Sequence, residues 1–179
     1  MRFLFGILTI TLGAFIAYAD VEKKASFSAG YSHAQIISGE DLIDTVSDAD
    51  SLKTFSAVLK AADLEGMLKG AGPFTLFAPS DDALAKLPKG TLELLLMPEN
   101  KDKLALILYQ HIVPGRAVMS SRWSDAPATL NTLFNSQTIK IFNHGGTVMI
   151  NDHAVVVLKN DIQTRNGVIH VIDTVLMPY

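Results

Sequence analysis

Apolar residues in the first half of the chain recur at steps of three and four, which is the spacing of one face of an α-helix. The first such run has apolar positions at Leu42, Val46, Leu52, Phe55, Val58, Leu59 and Ala62. Shorter helical patterns separated by prolines follow at residues 81–87, at residues 91–96 and from about residue 100. The first half of the chain is therefore predicted to be mainly helical.

The exception in this half is the apolar run Phe74–Ala78. Its length and continuous apolar character predict a buried strand. Pro79 is expected to end the strand, and Ser80 is placed to cap the helix that follows.

After Pro114 the chain changes to short runs rich in branched and aromatic residues, which favour strands. The predicted strands are residues 139–142, 148–150, 155–158 and 168–176. Turn-forming residues separate them at Gly145-Gly146, Asn151-Asp152 and Asn166-Gly167. Asn166-Gly167 is expected to supply the positive φ of a hairpin. Helices followed by a mostly antiparallel sheet predict an α+β domain.

The start of the chain has the pattern of a secretory signal. Arg2 is followed by an apolar run, and Ala17-Tyr18-Ala19 fits the rule for signal-peptidase cleavage. Residues 1–19 are therefore predicted to be removed before Asp20, leaving a secreted or periplasmic protein. The alternative, a retained membrane anchor, would need about 20 apolar residues, and this run is shorter. Residues 20–39 are interpreted as a spacer and residues 40–179 as one domain.

Composition narrows the range of partners. The chain has 15 basic and 18 acidic side chains, a formal net charge of −3, and no cluster of Lys or Arg. Nucleic acids and anionic membranes attract clustered positive charge, so neither is expected as a partner. The sequence contains no cysteine, which excludes disulfides and thiol chemistry, and no cofactor is predicted.

Two ordered blocks of the sequence, Gly72–Leu84 and Asn166–Pro178, resemble the signature blocks of the fasciclin-like domain family. The resemblance extends from about Asp41 to Pro178. It implies a β wedge or sandwich with several short helices packed along it. The positions that match the family's recurrent pattern, and for which structural roles are expected, are Thr75, Pro79, Ser80, His111, Asn166, Gly167, His170 and Asp173.

The five histidines raise the question of a metal or catalytic site. Their spacing matches no common zinc-binding pattern, and no serine has the sequence of a nucleophile elbow. His144, Asp152 and His153 lie in or beside successive turns, which leaves a surface metal site as an alternative. His111 and His170 are flanked by apolar residues. Each is predicted to be a neutral core residue that donates one hydrogen bond and accepts another.

Four residues are candidates for partner binding. Asp161-Ile162 stands where animal members of the resembled family carry an Asp-Ile pair implicated in integrin binding; alternatively, the pair fills the core and satisfies a turn. Trp123, the only tryptophan, is expected either to face a partner or to anchor its loop in the core. Tyr109 either packs on its helix or faces solvent, and its neighbour Gln110 replaces the Tyr of a Tyr-His binding region in those animal members.

These features together predict an exported, non-enzymatic interaction module for cell adhesion or for association with the envelope or extracellular matrix. Its partner would be a protein or a glycan, and a homodimer would allow a single domain to crosslink. One alternative is a periplasmic binding protein for a small apolar ligand or glycan, which a closed cavity of a few hundred cubic ångströms between helices and sheet would favour. The other is a metal-dependent hydrolase.

Overall fold

The computed structural model of the protein describes residues 39–134, 137–144, 147–151, 153–155 and 157–177. The predicted signal peptide, its cleavage before Asp20 and the predicted spacer up to residue 38 lie outside these residues and stay predictions. Of the described helices, none has the length and apolar character that crossing a bilayer requires.

Short helices make up most of the first half of the domain. They are α1 (Leu42–Asp48), α2 (Lys53–Ala61), α3 (Glu65–Leu68), α4 (Asp81–Ala85), α5 (Thr91–Leu95) and α6 (Lys101–Gln110). Single turns of 3₁₀ helix lie at Asp50–Leu52, Pro98–Asn100 and Ser120–Arg122. Every apolar position of the first predicted run is buried, so the helical face predicted from the sequence is the face that packs.

The strands form two four-stranded sheets. They are β1 (Phe74–Pro79), β2 (Ile112–Pro114), β3 (Ala128–Asn131), β4 (Thr138–His144), β5 (Thr147–Ile150), β6 (His153–Ala154), β7 (Val157–Thr164) and β8 (Gly167–Ile172). The first sheet has the order β2–β1–β8–β7, in which β1 and β8 are parallel and the other neighbours are antiparallel. The second sheet, β3–β4–β5–β6, is antiparallel throughout. The predicted α+β class with a mostly antiparallel sheet is confirmed.

Two hydrophobic cores lie on opposite faces of the first sheet. The helix-side core consists of Leu42, Ile43, Val46, Leu52, Phe55, Val58, Leu59, Ala62, Leu64, Leu68, Leu76, Ala78, Leu84, Leu104, Leu108, Ile112, Ile169 and Val171. The sheet-side core, shared with the second sheet, consists of Phe77, Val113, Val118, Trp123, Leu130, Ile139, Ile141, Ile150, Val155, Ile172 and Leu176.

Alternation along β1 explains this arrangement. Leu76 and Ala78 point to the helix-side core, whereas Phe77 between them points to the sheet-side core. Because β1 is covered on both faces, its sequence is a continuous apolar run rather than an alternating one. The first sheet is thus the middle of three layers, with helices on one side and the second sheet on the other.

Some strands differ from the prediction. The short strands β2, β3 and β6 were not predicted, and among the described residues of the predicted strand 155–158 only Val157 and Leu158 belong to a strand, where they begin β7. β8 ends at Ile172, whereas the prediction continued it to Leu176. The chain leaves the sheet because Asp173 bonds to Lys86 and the backbone of Leu176 bonds to a buried side chain outside the sheet.

The prediction of a positive φ at Asn166-Gly167 was wrong, because neither residue is among the described positions with that backbone. Gly167 is already the first residue of β8. A Cβ atom on Gly167 would lie 2.4 Å from the carbonyl oxygen of Phe74, and one on Gly72 would lie 1.9 Å from that of Asn166. Glycine is needed at both positions because the backbone of the segment that enters β1 lies so close to the backbone at the start of β8.

This close approach predicts a large effect of a small substitution. Gly167→Ala should lower the free energy of unfolding by about 2 kcal/mol or more, because the added methyl group forces β1 and β8 apart. Urea denaturation followed by circular dichroism measures the change. Gly66→Ala is the matched control: a Cβ atom there has no neighbour within 4 Å, and alanine in α3 should raise stability by up to about 1 kcal/mol. Equal stabilities of the two variants would contradict the assignment.

Candidate functional site

His111 follows α6 and is buried. Its Nδ1 lies 2.8 Å from the carbonyl oxygen of Ile107, and the backbone N–H of Leu176 donates to Nε2 at 3.0 Å. Because Nε2 accepts, the ring hydrogen is assigned to Nδ1, which donates to Ile107. Burial lowers the pKa of His111 to about 4, while the hydrogen bond to Ile107 acts in the opposite direction. The neutral ring therefore joins the segment after β8 to the end of α6.

His170 has the opposite tautomer at the centre of β8. The backbone N–H of Asp161 donates to its Nδ1 at 3.2 Å, so Nε2 carries the hydrogen and donates to the carbonyl oxygen of Val118 at 2.8 Å. Burial lowers the pKa of His170, although the bond to Val118 and the charge of Asp161 oppose that shift. The ring packs between aromatic neighbours, with centroids 4.8 Å from Trp123 and 5.4 Å from Phe77.

Asp161 uses its carboxylate inside the fold. Oδ1 accepts the backbone N–H of Ser120 at 2.7 Å, and Oδ2 accepts the Ser120 hydroxyl. The backbone of Asp161 has φ 54°, and the pairing of β7 with β8 changes register twice between Val157 and Ile162. Ile162 is half-buried against the helix-side core. The Asp-Ile pair thus lies at an irregular part of β7 that fixes the 3₁₀ turn starting at Ser120.

Trp123 and Tyr109 lie on opposite sides of the first sheet. Trp123 is only 9% exposed and belongs to the sheet-side core, whereas Tyr109 is half-buried against the helix-side core. The structure therefore does not bring these two candidates together on one surface. Gln110 is fully buried, and within the described part of the chain neither polar atom of its amide has a partner.

The remaining signature residues join β1 and β8 to their flanking segments. Ser80 caps α4, because its hydroxyl oxygen accepts the backbone N–H of Ala83 at 3.1 Å. Pro79 is the last residue of β1. Asp173 follows β8 and pairs with Lys86 at 3.0 Å, so the end of the first sheet is linked to the end of α4.

Three segments enclose a surface groove of about 670 Å³. They are residues 69–73, which precede β1, residues 117–119, which follow β2, and residues 163–168, which form the β7–β8 hairpin. The volume falls within the range of roughly 300–1,000 Å³ that ligand-binding pockets have. Lys69 and Arg165 are the charged side chains among its described lining residues. We call this feature the hairpin groove.

The side chain of Asn166 holds two walls of the hairpin groove together. Its Nδ2 donates to the carbonyl oxygens of Leu68 at 2.7 Å and Gly70 at 3.0 Å, and its Oδ1 accepts the backbone N–H of Leu42 at 3.0 Å. The backbone N–H of Phe74 donates to the carbonyl oxygen of Asn166 at 3.0 Å. The buried carboxamide thus fixes the hairpin against the segment that enters β1.

Thr75 and His170 hold the third wall. The Thr75 hydroxyl accepts the backbone N–H of Val118 at 2.9 Å and donates to the carbonyl oxygen of Arg116 at 2.7 Å. His170 donates to the carbonyl oxygen of Val118, and Asp161 holds the adjoining 3₁₀ turn. Several signature residues therefore shape the hairpin groove from behind. No sequence pattern marked the groove itself, because its walls come from segments far apart in the chain.

The alternatives based on a metal or an apolar ligand gain no structural support. Among the described residues there is no group of three or more His, Asp or Glu side chains arranged for a metal ion. Asp152 and the side chains of His144 and His153 lie outside the described part, so the metal hypothesis stays untested. An apolar cavity among the helices measures about 20 Å³, far below the roughly 300 Å³ at which ligand-binding pockets begin.

The buried neutral histidines predict a specific pH dependence of stability. The unfolded imidazole of His111 titrates near 6.5 and the folded one near 4, so protonation in this range favours the unfolded chain. The free energy of unfolding is highest above pH 6.5, and the titration of His111 lowers it by about 3 kcal/mol by pH 4. The lowered pKa of His170 adds to this loss. Urea denaturation of wild type and His111→Gln at pH 7.5 and 4.5 measures it. The variant should lose less stability on acidification, and parallel losses would contradict the assignment.

A second prediction concerns Gln110, because burying an amide without hydrogen-bond partners lowers the free energy of unfolding. Gln110→Met keeps the length of the side chain and should raise the free energy of unfolding by about 1 kcal/mol. Gln163→Met is the matched control, since Gln163 is only half-buried, and it should change stability by less than about 0.5 kcal/mol. Thermal and urea denaturation measure both. A destabilised Gln110→Met would show that the amide has a stabilising partner.

Comparisons with known proteins agree with this geometry. The family model of the fasciclin domain matches residues 50–178. Protein sll1483 of Synechocystis sp. is 40% identical over 163 residues, which cover 91% of this chain and 87% of that protein. Periostin of Homo sapiens is 37% identical over 140 residues, covering 78% of this chain but only 16% of periostin.

The fold is also found among solved structures. A FAS1 domain pair from the insect cell adhesion molecule Fasciclin I aligns with 78% of this chain and 51% of that chain, with a TM-score of 0.69 at 20% identity. This likeness extends the comparison to the arrangement of helices and sheets. With the family model covering most of the chain, it leads to one conclusion: this chain belongs to the fasciclin domain family.

Proposed function

We propose that this protein is an exported, non-enzymatic interaction module that binds a protein or a glycan at the cell envelope or in the extracellular matrix. The observation that carries the proposal is the match of residues 50–178 to the fasciclin domain. The fold is shared with a cell adhesion molecule, which supports an adhesive role. Residues 1–19 act as a signal peptide that is cleaved before Asp20 and directs the protein to the periplasm or the exterior.

The state of the buried polar residues supports a binding role rather than catalysis. Both ring nitrogens of His111 and of His170 are occupied by backbone groups, and both rings are buried. A general acid or base must reach a substrate proton, which these rings cannot do in the folded protein. Ser80 is buried and its oxygen caps a helix. These side chains stabilise the scaffold and leave the surface to make contacts.

The test is a binding measurement with the purified protein. Surface plasmon resonance over immobilised envelope polysaccharides, peptidoglycan and matrix proteins should give saturable binding to at least one macromolecule. Protein unfolded in urea and then diluted without refolding serves as the negative control. If no macromolecule binds saturably, the adhesive function loses its main support.

One variant separates the two interpretations of the Asp-Ile pair. Asp161→Asn keeps the shape of the side chain but removes its charge. Because the carboxylate bonds to Ser120 inside the fold, the variant should lose stability and still bind with an affinity within about twofold of wild type. A folded Asp161→Asn that no longer binds would instead identify Asp161 as a direct contact.

A further inference from the structure

In a protein of net negative charge, the charged side chains that line the hairpin groove are both cations. Lys69 and Arg165 line it with side chains that are 50% and 64% exposed, and no Asp or Glu is among its described lining residues. The full chain has a formal charge of −3. An acidic partner is therefore repelled by the protein as a whole and attracted to this place.

Both cations remain able to bind a ligand. Outside the groove, Asp44 lies 3.4 Å from Lys69 and Asp41 lies 3.4 Å from Arg165. The Lys69–Asp44 pair is exposed on both sides, and such pairs contribute about 0–1 kcal/mol, so a ligand carboxylate competes with Asp44 at little cost. Asp41 is buried, so its pair with Arg165 is expected to persist. Arg165 contacts Asp41 through Nη2, which leaves other donors of its planar guanidinium. The two carboxylates orient the cations without closing the groove.

The groove also offers backbone donors and apolar surface. Within the described part of the chain, the backbone N–H groups of Ala71 and Gly72 donate to no protein acceptor. Pro73, Ala117 and Met119 add apolar surface beside them. Carbonyl oxygens of an extended peptide are suitable acceptors for such N–H groups, and apolar side chains of the peptide can pack on the adjoining apolar surface.

The walls are held in place before any ligand arrives. Asn166 bonds the hairpin to the segment before β1, and Thr75 fixes the segment after β2. A Cβ atom at Gly72 would overlap the backbone of Asn166, so these two walls are in direct contact at the base. A rigid site loses little conformational entropy on binding, which favours affinity.

We propose that the hairpin groove binds an extended, carboxylate-rich segment of a partner protein. This inference rests on the proposed function and names the surface through which the module acts. Lys69 and Arg165 pair with acidic side chains of the segment, and the backbone N–H groups of Ala71 and Gly72 donate hydrogen bonds to its backbone carbonyl oxygens.

The probe is a dye-labelled ten-residue peptide of alternating glutamate and alanine, compared with its glutamine–alanine counterpart by fluorescence anisotropy. The acidic peptide should bind at least about tenfold more tightly, and its affinity should fall as NaCl is raised. In NMR spectra of the full protein, the amide signals of Gly70, Gly72 and Gly167 should shift on titration. Shifts confined to other regions would overturn the proposal.

Charge-reversal variants locate the contact. Lys69→Glu and Arg165→Glu should each lower the affinity for the acidic peptide by about fivefold or more. Lys89→Glu makes the same change in net charge at an exposed residue that does not line the groove, and it should leave affinity within about twofold. If Lys89→Glu weakens binding equally, the attraction is general and the groove is not the site. Arg165→Gln, with an unchanged unfolding midpoint, replaces Arg165→Glu if the latter fails to fold.

Two further outcomes separate this proposal from the proposed function. If polygalacturonate binds through Lys69 and Arg165 while the acidic peptide does not, the ligand is an acidic glycan and the peptide proposal is overturned. If Lys69→Glu and Arg165→Gln retain the binding of wild type to its envelope or matrix partner, the function stands and the groove is not the binding face. Loss of both peptide and partner binding in the same variants supports the groove.

Discussion

The parallel pairing of β1 with β8 is the constraint on which the rest of the structure depends. Its register brings Phe74 opposite Gly167 and Pro79 opposite Ile172, joining segments from the middle and the end of the chain. The two strands supply side chains to both hydrophobic cores, so neither core is complete without the pair. Glycine at both points of backbone crowding allows the approach. The histidines, Asn166 and Thr75 then attach neighbouring segments to this pair.

Several buried polar residues hold loops in place through hydrogen bonds to the loop backbone. Asn166, Thr75 and the two buried histidines donate to or accept from backbone groups that no helix or sheet satisfies, which removes the cost of burying those groups unpaired. These bonds attach the segment that enters β1, the segment that follows β2 and the segment that follows β8 to the rest of the domain. Rigid loops on a rigid sheet are a suitable support for a binding surface. Of the signature residues, Asn166 and Gly167 also line the groove, whereas Thr75 and His170 hold one of its walls from behind.

Much of the fold was predictable from the sequence because burial leaves a periodic pattern. The apolar face of α1 and α2, the buried strand from Phe74 and the cap at Ser80 all follow from local rules. Strands β2 and β3 are too short to show a period. Position 167 needs glycine because its backbone lies against Phe74, which is far away in the chain. Local sequence patterns give no information about such a contact. The hairpin groove was missed for the same reason, since its lining residues become neighbours only after folding.

The irregularity of β7 has a consequence for self-association. β7 is an outer strand of the first sheet, and the outer edge of a regular strand can pair with the strand of another molecule. Its two register shifts and the left-handed backbone at Asp161 interrupt that edge after a few residues. A second copy therefore has only short regular stretches of this edge to pair with, which disfavours edge-to-edge aggregation. The bend that positions one carboxylate also shortens the edge that a neighbouring molecule could extend.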